Sequence, residues 1–560
     1  MNNYLKSSIS KLYGDDDDFI VLGLTGQTGS GCSTVADILK KEHYEITHSL
    51  FNGDNPENND KRKDKIVAKD FEQSWEPFCV IHAGSVLTLL LAECGVGDAM
   101  QYVQGFLSRN EEKRIANFKA QLEKIDSEKS KTKEFYCKFL PQIHDEIRES
   151  LDVVIYTKVY QQIGKNLRES GSPIKEKSVD GEFHFFELAE KINTIVKEIQ
   201  EENQKSHKKT LIVIDAIRSP LEAMFFQERY AAFFLVAVLC SDEDRKIRLH
   251  KKGYDEEDIK KLDEQEYKGR NINDESSFSI QDIQTCLQKA DLYIHNANEE
   301  LEKLVSQVLK FISLMKRPGL VSPTAIERCM QIAYTAKLNS GCISRQVGAV
   351  ITDENFSIKA IGWNDTPHGQ VPCNLRSRFD LVTKKDQAAY SAFEKNDNDY
   401  RDWFKKETEK YSGIDKRRNV SYCFKSEYNK FKNKEANGNC ECNDNNIKCV
   451  VNQVHTRSLH AEENAFLQIS KYGGQGLEGG ILFTTASPCE LCSKKAYQLG
   501  IKTIYYIDPY PGIATSHILN GGSNDPELIL FSGAIGRAFH RLYSPIVPYK
   551  DELNALIGNS

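Results

Sequence analysis

Two short motifs force two helix starts toward one point. Leu459-His460-Ala461-Glu462-Glu463-Asn464 is followed by Ser487-Pro488-Cys489-Glu490-Leu491-Cys492. One imidazole and two thiolates make three ligands for a tetrahedral zinc and leave its fourth position open, as a catalytic zinc needs and a structural zinc does not. Glu462, two positions after the histidine, stands beside such a metal with its carboxylate free to carry protons. Ile481 to Thr485 reads as a buried strand running into Pro488, Cys489 to Leu499 as a helix, and Ala461 to Ser470 as a second helix. A fold that satisfies both motifs must bring these helix N-termini together, where the positive ends of the dipoles favour thiolate over thiol.

The rest of the chain sets the context. With 560 residues, two to four domains are expected. Hydrophobic residues make up 40% and charged residues 28%, the profile of a globular protein. No apolar run is long enough to span a bilayer, and Met1 to Asp18 lacks the apolar centre of a signal peptide, so a cytoplasmic protein without a membrane partner is expected. Fifteen cysteines in that setting point to metal ligands and buried thiols rather than a disulfide framework. The net charge of −7 argues against a chain that coats nucleic acid over its whole surface.

In the N-terminal half, Phe19 to Thr25 is an apolar strand leading into Gly26-Gln27-Thr28-Gly29-Ser30-Gly31-Cys32-Ser33-Thr34 and then a helix from Val35 to Lys41. That is the strand, glycine-rich loop and helix of a P-loop, whose backbone N–H groups turn toward phosphate oxygens. Cys32 stands where a lysine would reach the phosphates, while Ser33 can still help hold Mg²⁺. Thr210 to Asp215 is a buried strand ending in an acid, and Phe233 to Leu239 another strand. Arg245, Lys246 and Arg248 form a basic cluster. A short strand, Ala290 to Asn296, precedes a helix over Leu301 to Met315. Alternation of strands and helices implies a parallel α/β sheet. Residues 19 to 316 resemble nucleotide and dephospho-coenzyme A kinases of the P-loop class. That resemblance implies a nucleotide (ATP, GTP or a dNTP) with Mg²⁺, held by Gly26, Gly29, Gly31, Cys32, Ser33, Thr34 and Asp215. The lost lysine favours sensing over phosphoryl transfer. Asn52 to Lys69 and the charged run Asn110 to Lys133 read as surface insertions or solvated helices.

Arg317-Pro318-Gly319 breaks the preceding helix and divides the chain into 1–316 and 317–560. A helix from Ser322 onward and two strands, Val347 to Ile351 and Ala360 to Asn364, come before the first metal motif; a strand over Thr503 to Ile507 follows the second. H-x-E followed by P-C-x-x-C is the signature of zinc-dependent nucleobase deaminases. The order of elements is that of the cytidine deaminase fold, an α/β/α sandwich. Arg345 to Val350, Gly362-Trp363-Asn364, His460 to Ala465 and Pro488 to Ile501 resemble deoxycytidylate deaminases. With the degenerate P-loop in front and Tyr510-Pro511-Gly512-Ile513-Ala514 behind, the chain resembles the bacterial anti-phage deoxycytidine nucleotide deaminases over nearly its full length. The resemblance implies deamination of dCTP and dCMP, draining the pool a phage needs for DNA synthesis. It also implies regulation through the N-terminal domain, in some relatives by a small RNA. Deaminases of this fold commonly assemble, so a homo-oligomer is expected.

On that reading Glu462 takes a proton from a metal-acidified water and passes it to N3 of cytosine, then to the departing amine. Asn364 is a candidate for binding sugar or base and Arg345 for binding phosphate. Between residues 374 and 453 lies a polar insertion. Cys440, Cys442 and Cys449, with Cys423 upstream and His455 downstream and with Cys373 as a substitute for one of the four, are candidates for a second, structural zinc, and exposed unpaired thiols are the plainer alternative. The insertion also mixes Lys405, Lys406, Lys416, Arg417, Arg418, Lys430 and Lys432 with Trp403, Tyr411, Tyr422, Phe424 and Phe431. Such a mixture either stacks single-stranded nucleic acid or turns its aromatics inward. Two competing functions follow, a bifunctional nucleotide kinase and deaminase, and an RNA- or DNA-editing deaminase.

Overall fold

The apolar stretch Phe19–Thr25 (β1) has no polar alternation and lies inside a sheet with a neighbour on each side, the position its sequence demands. The structure is a computed structural model. It describes residues 18–106, 112–128, 131–176, 182–266, 281–298, 300–414, 418–437, 456–473, 476–508 and 514–557. The chain forms two compact units: Met1–Thr324 together with Leu530–Ser560, and Ala325–Ile529.

In the first unit, β1, β2 (Cys79–His82), β3 (Thr210–Asp215), β4 (Phe233–Leu239) and β5 (Leu292–His295) lie side by side in the order β5-β4-β1-β3-β2, each parallel to its neighbours. β1 is followed by the glycine-rich loop and α1 (Cys32–Lys40), which starts from Gly31 in the left-handed conformation, φ 105°. The loop after β1 and Asp215 at the end of β3 are neighbours at the switch point of the strand order, where α/β sheets of this kind open a crevice. Two further helices, α2 (Asp242–Lys251) and α3 (Glu256–Glu266), follow β4, and α4 (Leu301–Lys316) follows β5. Leu22, Leu24, Ile38, Leu39, Val213, Val236 and Ile312 share one buried core.

Strands β1, β3 and β4 match their expected bounds, and β5 is shorter. Both stretches read as surface insertions contain helices that bury apolar residues: Val67, Ala68 and Phe71 in Asn59–Ser74, and Phe118, Leu122 and Ile125 in Glu112–Ser127. One cysteine pair, Cys79–Cys137, is joined as a disulfide with Cα atoms 5.5 Å apart, where the cysteine count suggests only thiols and metal ligands.

The second unit has a five-stranded sheet in the order β10-β9-β8-β6-β7, built from β6 (Gly348–Thr352), β7 (Ile358–Trp363), β8 (Ile481–Ala486), β9 (Thr503–Asp508) and β10 (Glu527–Leu530). β6 runs antiparallel to β7 and β8, and β8 runs parallel to β9. Alternate residues of a strand face opposite sides. Ala349 and Ile351 pack in one core with Ala461, Ala465 and Ala496, whereas Gly348 faces Ala333 of helix α5 (Ala325–Ala336). Helices therefore cover both faces.

The described part of the insertion folds on a core of its own: Leu381, Tyr390, Tyr400, Trp403, Phe404, Tyr422 and Phe431. Its last described helix is α6 (Phe424–Asn437). Trp403, Tyr422 and Phe431 are thus turned inward, which removes them from any stacking surface for nucleic acid and accounts for their spacing as core. Cys440, Cys442, Cys449, His455, Lys416 and Arg417 lie outside the described residues, as does Tyr510 to Ile513.

The chain end departs from the division at 316/317. Leu530–Ser560 belongs with the first unit, where β11 (Gly533–Ala534) pairs antiparallel with β5 and a following helix, Gly536–Tyr543, puts Ala538 and Leu542 into the first unit's core. Among the described residues no single helix is long and apolar enough to cross a membrane.

Helix α7 (Ala461–Tyr472) lies so close on β7 that a Cβ at Gly362 would stand 2.1 Å from the Ala461 carbonyl oxygen and 2.6 Å from the Ala465 nitrogen. Both are backbone atoms and cannot rotate away. Gly362→Ala is expected to cost about 1–3 kcal/mol, the usual price of overpacking, and to show as a lower urea midpoint for the second unit.

Candidate functional site

The two motifs meet at the ends of β7 and β8. His460 is the residue before α7, with extended backbone, and its N–H donates to Glu463 Oε2 at 3.4 Å. Cys489 caps the start of α8 (Glu490–Gln498), whose first turn holds Cys492. The helices are tied to each other and to the sheet near these starts: Lys495 pairs with Glu463, and Asn464 Nδ2 donates to Trp363 O at 2.7 Å. At the end of β8, Ser487 N donates to Asp508 O at 2.9 Å, setting the chain on course for Pro488 and Cys489.

His460 Nδ1 lies 3.3 Å from Cys489 Sγ and 3.5 Å from Cys492 Sγ. These three atoms form the one cluster of metal-ligand character among the described residues. Zinc bonds of about 2.3 Å to sulfur and 2.0 Å to nitrogen at tetrahedral angles call for sulfur–nitrogen separations of about 3.5 Å, so the donor set fits zinc in type and spacing. The Cys489 thiol is drawn down to about 3, first by the hydrogen bond from Cys492 and then by His460, while Cys492 is pushed up and keeps the proton. A divalent cation would take that proton's place between the two sulfurs.

Glu462 is buried beside the cluster. Its carboxyl is pushed up from the ordinary range, chiefly by burial. Cys492 Sγ donates to Glu462 Oε2 at 3.7 Å, and Thr484 Oγ1 reaches Oε1 at 3.5 Å. The acid is therefore next to the metal ligands without being one of them. Cluster and acid open on a cavity of about 450 Å³, within the range of small-molecule sites.

The other residues singled out in this unit sit on the cavity wall with their polar groups engaged. Asn364 Nδ2 donates to Arg345 O at 2.7 Å and its Oδ1 accepts from Val347 N at 2.7 Å, so the amide clamps the strand entry. Arg345 pairs with buried Asp508 at the end of β9. Cys423 also lines the cavity, as do Cys342 and Cys373. The insertion supplies further wall residues that the sequence does not single out for this role: Lys425, Ser426 and Asn429 from the start of α6. Only their fold neighbours reveal them, since they lie far from either motif in sequence.

The first unit has its own cavity, about 1300 Å³, lined by Gly29, Gly31, Cys32, Ser33, Thr34 and Asp215 among others. Ser33 Oγ donates to Asp215 Oδ2 at 3.1 Å, the hydroxyl and carboxylate pairing suited to a Mg²⁺ ion. Cys32 is buried, and its thiol is pushed up to about 12 by burial and then by Asp215, so it brings no charge to the loop. Of the basic cluster, Arg245 is buried, with NH1 donating to Thr28 O at 3.3 Å, and Arg248 NH1 donates to Ser30 O at 3.0 Å. Both arginines hold carbonyls of the loop.

A model of the cytidine and deoxycytidylate deaminase zinc-binding region matches residues 323–508. Deoxycytidylate deaminase of Enterobacteria phage T2 is 29% identical over 183 residues, 32% of this chain and 78% of that protein; the enzyme of phage T4 is 27% identical, over 32% and 76%. ComE operon protein 2 of Bacillus subtilis (strain 168) is 43% identical over 63 residues, 11% of this chain, and the match spans a third, 33%, of its length. Among solved structures, the dCMP deaminase of cyanophage S-TIM5 in complex with dCMP and dUMP is 21% identical, covering 38% of this chain and 99% of its own, with a TM-score of 0.22. The C-terminal part of the chain carries a domain of the deoxycytidylate deaminase family.

Cys492→Ala is expected to purify with one equivalent of zinc fewer than the wild-type chain, and Glu462→Ala with the full amount. Metal analysis of the two variants by mass spectrometry checks both.

Proposed function

We propose that the chain hydrolyses the exocyclic amine of deoxycytidine nucleotides, dCMP, dCTP or both, with zinc held by His460, Cys489 and Cys492. The observation that carries this is the buried Glu462 carboxyl beside three ligand atoms that leave a fourth position open toward a cavity. When bound, zinc supplies Lewis acidity and brings the pKa of water to roughly 7. Glu462 then moves the protons. Its burial favours the neutral acid, so a proton accepted from water can be held and delivered to N3 of the cytosine ring, and the same carboxyl serves the departing amine. Water and the cytosine nucleotide give the uracil nucleotide and ammonia. Thr484 Oγ1, whose hydroxyl donates to Ala486 O at 2.9 Å, lies 3.5 Å from the carboxyl. Ala461, Glu462 and Cys492 are buried, which limits the water around the carboxyl.

Asn364 acts here chiefly by fixing the wall that the substrate meets, and Arg345 by a guanidinium shared between Asp508 and a phosphate. A second, structural zinc on Cys423 with Cys440, Cys442 and Cys449 belongs to the same reading. In the first unit, Gly26 to Thr34 and Asp215 take a nucleotide with Mg²⁺, and that nucleotide regulates the deaminase; the Ser33–Asp215 pair supports the metal part of this assignment. The biological role is depletion of the deoxycytidine nucleotide pool in antiviral defence, and control by a small RNA and assembly into homo-oligomers belong to the same proposal. Against a bifunctional kinase stands uncharged Cys32 in the lysine's place. Against polynucleotide editing stand the buried aromatics of the insertion.

The test is ammonia release from cytosine, dCMP, dCTP, CTP and a cytosine-containing oligonucleotide. Turnover of dCMP or dCTP is expected, and Glu462→Ala should lower it by about 10²–10⁴-fold, the contribution of general acid–base catalysis. Turnover of the oligonucleotide alone would overturn the reading.

A further inference from the structure

A glycine-rich loop offers its backbone N–H groups to an anion. In this chain one of those groups is already taken by a carboxylate of the protein itself. Thr28 N–H lies 3.1 Å from Glu266 Oε1 and 3.2 Å from Oε2, and the Thr28 hydroxyl donates to Oε1 as well. Glu266 is the last residue of α3 and is fully buried. Its counter-charge is Arg218, three residues beyond Asp215: Arg218 NH1 donates to Glu266 Oε1 at 2.8 Å and to Thr28 Oγ1 at 2.9 Å.

Arg218 therefore stands at the loop with its charge, and Cys32, at the lysine's position, has none. Both residues line the first unit's cavity, together with Arg148, Arg248, Lys251 and Lys252. A buried carboxylate is costly to desolvate and is retained where fixed donors receive it. Here the donors are those of a phosphate site: a loop amide, a hydroxyl and a guanidinium.

We infer that Arg218 replaces the missing lysine as the phosphate-binding cation of the loop, and that Glu266 holds the place of a phosphate until a polyphosphate ligand displaces it. The inference rests on the reading of Gly26 to Thr34 as a nucleotide site and deepens it. A terminal phosphate carries more charge than a carboxylate and offers oxygens for a bidentate guanidinium contact, so it competes for the same donors. Release of Glu266 leaves α3 attached through its preceding turn, where Arg245 NH2 donates to Asp263 Oδ1 at 2.5 Å. The ligand class is a nucleoside triphosphate or another linear polyphosphate. The chain's own anion sets the threshold concentration at which the site fills.

Isothermal titration of the full chain with Mg·ATP and with inorganic tripolyphosphate tests this. Glu266→Gln, nearly the same shape without the charge, is expected to bind about tenfold tighter than the wild type, and Arg218→Gln about tenfold weaker, the worth of one charge-assisted hydrogen bond. Arg218→Lys should recover part of the loss, which a role in folding alone would not explain. Binding that is equal in wild type and Glu266→Gln, or unchanged by Arg218→Gln, overturns the inference while leaving a nucleotide site at the loop. Absence of binding to either probe in all four chains at millimolar concentration overturns both.

Discussion

Everything chemical in the second unit depends on two helices beginning at one place. α7 lies against β7 without room for a methyl group at Gly362, and α8 begins where β8 ends. His460 and Cys489 cap those helices, so small shifts of either axis would separate ligand atoms that now lie 3.3 and 3.5 Å apart. The Glu463–Lys495 pair and the Asn464 bond to Trp363 O tie these starts together. Side chains would do the binding, but backbone packing sets their spacing.

The two units solve one problem in different ways. Each puts its polar groups at strand ends and helix starts, where unpaired N–H groups and dipoles favour negative charge. In the second unit the negative charge belongs to thiolate and calls for a cation. In the first, the glycine loop calls for an anion, and Glu266 supplies one from within the chain. The loop, with uncharged Cys32, thus has a cation, Arg218, paired with that carboxylate beside it.

The cluster was legible because it is local: His460, Cys489 and Cys492, with Glu462 beside them, fall in two short motifs that begin helices. The parallel sheet was legible as well, because β1, β3 and β4 are continuous apolar runs bounded by polar residues. Contacts distant in sequence left no such trace. Arg218 and Glu266 are 48 residues apart, and nothing in either neighbourhood marks the pair. The return of β11 to the first sheet hides in a two-residue strand, Gly533–Ala534. The partners of the Asn364 amide and the Arg345 guanidinium within the chain, Val347 N and Asp508, were likewise invisible, because sequence gives residue type and position but not the contact. Aromatics of the insertion offered two readings, stacking surface or core, and burial of Trp403 and Tyr422 decides for core.

The central claim is an open metal site with an acid beside it. Anomalous diffraction at the zinc edge from crystals of the purified chain tests it most directly. The account predicts one peak bonded to His460 Nδ1, Cys489 Sγ and Cys492 Sγ, with a non-protein atom completing the tetrahedron and Glu462 outside the coordination sphere. A peak whose fourth ligand is a protein side chain, Glu462 included, or no peak at these residues, would contradict it.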